Sequence, residues 1–213
     1  MPTEPAASRL LDRRPLASRS TRWARFLAAR LASSPITPNQ ISLFSVACAA
    51  AGATLIGFGN TWFAFIVAGM CVQLRLLCNL LDGMVAIEGG KSSPVGVLYN
   101  EMPDRIADSL FLVPLGYAAG RPWLGWAAAL VAALTAYIRV LGGALGQQQD
   151  FSGVMAKQRR MAALTVALIA QAIETAIWGT RWALLVAGLI ILAGSVVTCA
   201  TRTATIARRL QIA

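Results

Sequence analysis

Long apolar stretches separated by short polar connections make up most of the chain after residue 36. Six of them are visible, near residues 40–58, 61–86, 95–118, 122–146, 160–178 and 181–200. Each reaches about 20 residues, the length that an α-helix needs to cross the hydrocarbon core of a bilayer. The pattern therefore predicts an all-α, polytopic membrane protein with six transmembrane helices.

A shorter helical pattern precedes the first long stretch. Between residues 20 and 34, the large apolar side chains share one face and the arginines lie mostly elsewhere. The apolar residues are Trp23, Phe26, Leu27 and Leu31. This is typical of an amphipathic helix in the membrane interface, although a plain surface helix has the same pattern. The next segment, Thr37-Pro38-Asn39-Gln40, predicts the entry to the first long helix.

These patterns divide the chain into three parts. We expect a basic N-terminal segment with the interfacial helix at residues 1–36, a six-span membrane domain at 37–201, and a basic tail at 202–213. The pattern shows no soluble second domain.

Composition agrees with a membrane protein and argues against several other classes. The 213 residues are 57% hydrophobic, and the mean hydropathy is +0.62, which is rare for a soluble domain. The formal charge is +10, but the basic residues flank apolar stretches, a pattern that indicates a lipid bilayer and no nucleic acid. Histidine is absent and the four cysteines lack metal-ligand spacing, which argues against zinc sites and histidine-based triads.

The distribution of basic residues predicts the orientation in the membrane. Fourteen lysines and arginines fall on one side of the predicted spans, against Arg121 and Arg181 on the other. Because basic loops stay in the cytoplasm, both termini and the loop between the second and third spans are expected there. The chain is expected in the inner (plasma) membrane.

Acidic residues concentrate where the second and third spans approach this loop. Five of the nine lie between residues 79 and 108: Asp82, Glu88, Glu101, Asp104 and Asp108. A charge at membrane depth is costly, so these carboxylates need a partner or a function. If the loop folds the two helices antiparallel, their oxygen-rich faces meet and form a site for a hard divalent cation.

The same segment resembles the signature of the CDP-alcohol phosphotransferases, integral membrane enzymes that make phospholipid headgroups. That signature is D-x2-D-G-x2-A-R, about eight residues, and then G-x3-D-x3-D. Here the frame reads Asn79-x2-Asp82-Gly83-x2-Ala86-Ile87, eight residues, and Gly96-x3-Asn100-x3-Asp104, with five of eight identities retained. The resemblance is strongest over residues 37–160.

The resemblance implies an activity and a set of site residues. The chain would move a phosphatidyl, or other phospho-alcohol, group from a CDP-alcohol, with CDP-diacylglycerol as the expected donor, to an alcohol acceptor and release CMP. It further implies Mg²⁺ or Mn²⁺ as cofactor, Asp104 as general base, and a homodimer. The implied metal ligands are Asn79, Asp82, Asn100 and Asp104, and the implied diphosphate-binding positions are Asp82, Gly83, Ala86 and Gly96.

A diphosphate also needs basic groups opposite the metal. Arg139, Lys157 and Arg160 are the candidates to bind phosphate on the acceptor or the donor. Headgroup contact is the alternative for Lys157 and Arg160, and snorkelling to the interface is the alternative for Arg139. Arg75, within the second span, is a candidate partner for a signature carboxylate.

Three departures from the signature leave the activity open. Asn79 and Asn100 replace two aspartates, and Ile87 replaces the arginine. An asparagine oxygen can ligate a hard cation but brings no charge. Glu101 and Asp108 are the candidate compensating carboxylates. The alternative function is a catalytically degenerate relative that binds CDP-lipid or serves as a structural partner in the membrane.

Overall fold

The structure is a computed structural model that describes residues 21–91 and 93–212. Regular structure in this part of the chain is entirely helical, which confirms the predicted all-α class. The helices are α1 (Arg22–Ala32), α2 (Pro38–Phe58), α3 (Trp62–Glu88), α4 (Gly96–Ala118), α5 (Pro122–Ala144), α6 (Lys157–Ile177) and α7 (Trp182–Ile212). The first 20 residues of the predicted N-terminal segment lie outside the described residues.

The six long helices coincide with the six predicted spans, and the largest difference is at the end of the last. Helix α7 continues to Ile212, whereas the apolar pattern ends near residue 200. Residues 201–212 contain no glycine or proline and include several good helix formers, so the helix has no local reason to stop. The boundary predicted at residue 201 therefore does not coincide with a helix end.

Five of the described helices, α2, α3, α5, α6 and α7, are long and apolar enough to cross a membrane. This agrees with a multi-pass membrane protein. The remaining long helix, α4, contains Glu101, Asp104, Arg105 and Asp108 within its 23 residues, and these charges separate it from the other five. A total of six spans remains a prediction.

The entry to α2 is fixed by a capping box. The backbone N–H of Gln40 donates to Thr37 Oγ1 at 3.3 Å, and the backbone N–H of Thr37 donates to Gln40 Oε1 at 2.9 Å. Pro38 occupies the first turn, where its missing N–H costs no hydrogen bond. The helix entry predicted at residues 37–40 is thus confirmed.

Helix α1 lies against α3 through small side chains. Ala24 and Ala28 are fully buried in a cluster with residues of the C-terminal half of α3. Trp23 and Phe26 remain 50% and 60% exposed. This leaves large apolar side chains free for the membrane interface, as expected for an interfacial helix. Lys91, just after α3, donates to the carbonyl oxygen of Ile36 at 3.2 Å and so ties the two loops together.

Helix α2 is the scaffold on which the two polar helices are arranged. Both α3 and α4 pack along α2, whereas these two helices have few close backbone contacts with each other. Helix α4 is fixed on its other side by α5, where a Cβ added at Gly116 would lie 2.3 Å from the backbone nitrogen of Gly125. Small residues allow this backbone approach between helices. The polar faces of α3 and α4 therefore lie side by side, and long side chains connect them.

Candidate active site

The centre of the site is a set of six charged side chains that are almost completely buried between α3, α4 and α6. We refer to it as the charge cluster. Its members are Arg75, Asp82, Asp104, Asp108, Lys157 and Arg160. Three carboxylates and three cations balance one another, which lowers the large cost of placing charges away from water.

Asp104 is held from two helices. Nη2 of Arg75, which belongs to α3, donates to Asp104 Oδ1 at 2.6 Å. The ammonium of Lys157, the first residue of α6, donates to the other oxygen, Oδ2. The same ammonium lies 3.2 Å from Asn79 Oδ1. The last aspartate of the signature is thus fixed in place by two cations, and the candidate pairing of Arg75 with a signature carboxylate is confirmed.

Asp108 continues this face of α4 one helical turn further along. Its Oδ2 accepts a hydrogen bond from Nη2 of Arg160, and Nη1 of Arg160 donates to the carbonyl oxygen of Met155 at 3.4 Å. Oδ1 of Asp108 and Nε of Arg160 are buried without a hydrogen-bond partner among the described residues. This pair is the part of the charge cluster most enclosed by protein.

Asp82 differs from the other two carboxylates because its direct partner is neutral. Its Oδ2 accepts from the Ser42 hydroxyl at 2.6 Å, and that hydroxyl lies 3.2 Å from the carbonyl oxygen of Pro38. Oδ1 is buried and has no hydrogen-bond partner within residues 21–91 and 93–212. A buried carboxylate oxygen with free lone pairs is a ligand that a hard divalent cation would satisfy.

The four predicted metal ligands therefore differ in what already surrounds them. Asp82 fits a divalent cation, whereas both oxygens of Asp104 are engaged by cations and Asn79 accepts from Lys157. Asn100 is exposed in the first turns of α4. In the described part of the chain, no three acidic, histidine or cysteine side chains group closely enough to hold a metal ion. The complete set of four ligands stays a prediction.

The candidate compensating carboxylates are both engaged with arginines. Nη2 of Arg139 lies 2.7 and 2.6 Å from the two oxygens of Glu101, and Nη2 of Arg105 donates to the same carboxylate at 2.8 Å. Asp108 pairs with Arg160, as described above. Each of the candidate phosphate-binding cations therefore has a carboxylate partner: Arg139 has Glu101, Lys157 has Asp104, and Arg160 has Asp108.

Gly96 has few close neighbours at the start of α4. A Cβ added there would have Ser93 Oγ as its nearest neighbour, at 3.7 Å. Gly83 and Ala86, partly buried, lie on the last turns of α3, beside Asp82 in sequence. The space beside Gly96 is compatible with the predicted diphosphate-binding role, which stays a prediction.

An apolar groove leads to the charge cluster from the side of α3 and α6. Its volume is about 920 Å³, and α3 provides most of its wall, including Ile66, Met70 and Leu74. Asn79 and Lys157 lie at its polar part. The groove therefore connects an apolar surface with two members of the site, an arrangement suited to an amphipathic ligand.

Two residues of the site region escape prediction from the sequence. Ser42 is the partner of Asp82, and the buried Arg202 donates to the carbonyl oxygens of Ser152, at 2.9 and 2.7 Å, and Thr135, at 2.6 Å. Arg202 was expected in a tail. A signal existed for it, since Ser195, Thr198 and Arg202 follow at three- and four-residue steps and form one polar face of α7.

Curated relatives match this chain over much of their length. The phosphatidylinositol phosphate synthase of Mycobacteroides abscessus is 27% identical over 185 residues, which cover 83% of this chain and 80% of that protein. The archaetidylinositol phosphate synthase of Aeropyrum pernix is 29% identical over 131 residues, covering 62% of this chain and 66% of that protein. No protein-family model matches the chain.

A third relative is more similar over a shorter region. The bifunctional IPC transferase and DIPP synthase of Rubrobacter xylanophilus is 37% identical over 90 residues, which cover 42% of this chain. The chain matches about a fifth of the length of that protein, 20%.

Solved structures share the fold. The phosphatidylinositol phosphate synthase of Mycobacterium tuberculosis with CDP-DAG bound superposes with a TM-score of 0.72 at 22% identity, covering 87% of this chain and 94% of that one. The same enzyme in complex with manganese and citrate gives a TM-score of 0.72 at 21% identity, covering 86% and 88%. The curated relatives and the shared fold agree with the resemblance of this chain to the CDP-alcohol phosphotransferases.

The pairing of Arg160 with Asp108 predicts a specific pattern of stability. Arg160→Met leaves the Asp108 charge buried without its partner, so we expect the free energy of unfolding in mixed micelles to fall by about 3–5 kcal/mol. Arg160→Met/Asp108→Asn removes both charges and is expected to recover most of this loss. Arg159→Met, an exposed position on the same helix, is the matched control. A double variant as unstable as the single one would contradict the pairing.

Proposed function

We propose that the protein transfers a phosphatidyl group from CDP-diacylglycerol to the hydroxyl of an alcohol acceptor and releases CMP. The observation that carries this proposal is the position of Asp82 and Asp104. These two retained carboxylates of the signature lie on facing helices, and Asn79 and Lys157 beside them form the polar part of the apolar groove. A ligand with apolar chains and a charged diphosphate matches both parts at once.

The groove supports a lipid as the donor. Its wall presents apolar side chains, which is favourable for acyl chains and unfavourable for a water-soluble nucleotide sugar. The homologous-fold structure with CDP-DAG bound supports the same donor. The diphosphate would then lie near Asp82, Gly83, Ala86 and Gly96, and a Cβ at Gly96 would meet Ser93 Oγ at 3.7 Å as its nearest neighbour.

A divalent cation, Mg²⁺ or Mn²⁺, is part of the proposal. Asp82 would hold it through Oδ1, which has no hydrogen-bond partner among the described residues. The signature also implies Asn79, Asn100 and Asp104 as ligands, but Lys157 already contacts Asn79 and Asp104. When bound, the cation supplies charge stabilisation for the diphosphate and the departing CMP. The manganese complex of the Mycobacterium tuberculosis enzyme supports this choice of metal.

Asp104 is the proposed general base. In the reaction, the acceptor oxygen forms a bond to the phosphorus that carries the diacylglycerol, the bond from that phosphorus to the CMP oxygen breaks, and the acceptor proton passes to Asp104. Arg75 and Lys157 take one lone pair on each Asp104 oxygen. A carboxylate has about four lone-pair sites, so each oxygen retains one to accept the proton. The two cations also fix the direction of the carboxylate.

The basic residues Arg139, Lys157 and Arg160 are proposed to bind phosphate on the acceptor or the donor. Each already stands beside a carboxylate, so phosphate binding would add to or replace an existing pair. Two of the relatives are named for a phosphorylated headgroup product, which supports a phosphate on the acceptor. Glu101 and Asp108 would then position Arg139 and Arg160 before phosphate binds.

A second candidate function is binding of CDP-lipid without turnover. Its support is the loss of two signature carboxylates at Asn79 and Asn100, together with the two ion pairs on Asp104. Purified protein with radiolabelled CDP-diacylglycerol and a panel of alcohols separates the two candidates. CMP release indicates the transferase, and retention of intact CDP-diacylglycerol by the protein indicates the binding function.

The transferase proposal predicts that both retained aspartates are needed. Asp82→Asn and Asp104→Asn are each expected to reduce CMP release by at least about 100-fold, the contribution typical of a general base or its equivalent. Removal of divalent metal with EDTA is expected to abolish release. Glu88→Gln, an exposed acidic position at the end of α3, is the control and should retain activity. Full activity of either aspartate variant, or in excess EDTA, would rule out the assigned roles.

The proposed setting is the inner membrane, with the site and both termini in the cytoplasm and a homodimer as the assembly. CMP would then leave into the compartment where nucleotides are recycled, and the distribution of Lys and Arg supports the same orientation. The family resemblance supports the homodimer.

The orientation is tested by labelling introduced cysteines in a cysteine-free background. Ser93→Cys, in the loop between α3 and α4, is expected to resist a membrane-impermeant maleimide in intact cells and to react after the membrane is opened. Arg121→Cys, between α4 and α5, is expected to react in intact cells. Both positions are exposed. Labelling of Ser93→Cys from outside would reverse the proposed orientation.

A further inference from the structure

Lys157 stands between two positions of the signature. Its ammonium donates to Asp104 Oδ2 and lies 3.2 Å from Asn79 Oδ1. The signature implies both of these residues as ligands of a divalent cation. The ammonium therefore contacts half of the predicted metal ligands, and it does so from α6, outside the signature itself.

The position of Lys157 is built into the fold. Its side chain is 4% exposed, and it is the first residue of α6, immediately after the loop that the buried Met155 anchors. The backbone N–H of Met155 donates to Thr198 Oγ1 of α7 at 2.9 Å. A lysine confined in this way cannot extend its ammonium into water, so the positive charge stays within the site.

The charges around Asp82 and Asp104 differ accordingly. Each oxygen of Asp104 contacts one cation, Arg75 or Lys157, so the negative charge of Asp104 is already compensated. Asp82 accepts from a neutral hydroxyl on one oxygen, and the structure shows no hydrogen-bond partner for its other oxygen, Oδ1, among the described residues. A divalent cation placed beside Asp104 would be repelled by the buried ammonium, whereas one beside Asp82 would meet an unsatisfied carboxylate.

We propose that the Lys157 ammonium is a built-in cation that occupies the space between Asn79 and Asp104 and restricts the divalent metal to the Asp82 side of the site. The inference rests on the proposed function, because it concerns the metal which that function needs. The neutral residue at position 79 matches this arrangement: its oxygen accepts from the ammonium, and the pair of Lys157 and Asp104 remains balanced in charge.

The test measures Mn²⁺ binding to the purified protein in detergent. The electron paramagnetic resonance signal of free Mn²⁺ reports how much metal remains unbound. Lys157→Gln removes the charge and keeps a hydrogen-bond donor for Asp104, and Lys157→Met removes both. We expect each to bind Mn²⁺ at least about tenfold more tightly than the unmodified protein, because a buried positive charge beside the metal is gone. Lys157→Arg keeps the charge and is expected to show no gain.

Asn79→Asp tests the proposal with Lys157 in place. The new carboxylate is expected to pair with the ammonium, so Mn²⁺ affinity should stay within about threefold of the original value. Asn79→Asp/Lys157→Gln should bind Mn²⁺ much more tightly than either single variant. Arg159→Met removes a positive charge from the exposed side of the same helix and controls for net charge.

The outcomes separate this inference from the proposed function. Equal Mn²⁺ affinity in the unmodified protein, Lys157→Gln and Lys157→Met would overturn the role of Lys157 and leave the metal-dependent function intact. A tenfold gain in Asn79→Asp alone would also overturn it, since the ammonium would then not occupy that position. If no variant bound Mn²⁺, both the metal of the proposed function and the inference would fall.

Discussion

The burial of charge between packed helices is the constraint on which the rest of this structure depends. Six charged residues lie between α3, α4 and α6, and each is at most 8% exposed. Such groups are tolerated when they pair and when their remaining oxygens and hydrogens find partners. Asp104 pairs with Arg75 and Lys157, and Asp108 pairs with Arg160, while Oδ1 of Asp108 and Nε of Arg160 are buried without a hydrogen-bond partner among the described residues. Asp82 has no ion-pair partner among the described residues, and its Oδ1 accepts no hydrogen bond there. A bound cation would therefore stabilise Asp82 more than the other two carboxylates.

The packing of the helices places this set of charges and keeps it open. Because α3 and α4 both lie on α2 and barely touch each other, their polar faces are separated by a gap that long side chains bridge. Close contact at Gly116 and Gly125 fixes α4 against α5 on the opposite side. The apolar groove beside α3 and α6 then connects the lipid-facing surface with Asn79 and Lys157. A rigid scaffold thus surrounds a site that an amphipathic molecule can enter.

Hydropathy and spacing in the sequence predict much of this arrangement. The apolar runs locate the six long helices because span length is set by the bilayer, and the spacing from Asn79 to Asp104 locates the site because three- and four-residue steps define a helix face. The capping box at Thr37 is equally local in sequence. Each of these features depends on residues close together in the chain, so each is readable before the fold is known.

The partners of the carboxylates are not readable in the same way. Arg75 lies 29 residues before Asp104, and Lys157 lies 53 residues after it. Ser42 lies 40 residues from Asp82, on another helix. Which cation pairs with which carboxylate depends on how the helices pack against each other. Local patterns in the sequence do not contain this information. For the same reason, Lys157 is expected from the sequence to bind phosphate, whereas the structure also places it against two signature oxygens.

Locating the bound metal is the most direct test of the role assigned to Asp82. Crystals grown in a lipid phase with Mn²⁺ and CDP-diacylglycerol would give an anomalous scattering signal from manganese. We expect a peak about 2.2 Å from Asp82 Oδ1, with the nucleotide diphosphate against it and the Lys157 ammonium still between Asn79 and Asp104. A peak away from Asp82, or CDP-diacylglycerol bound with no manganese at this site, would contradict this role.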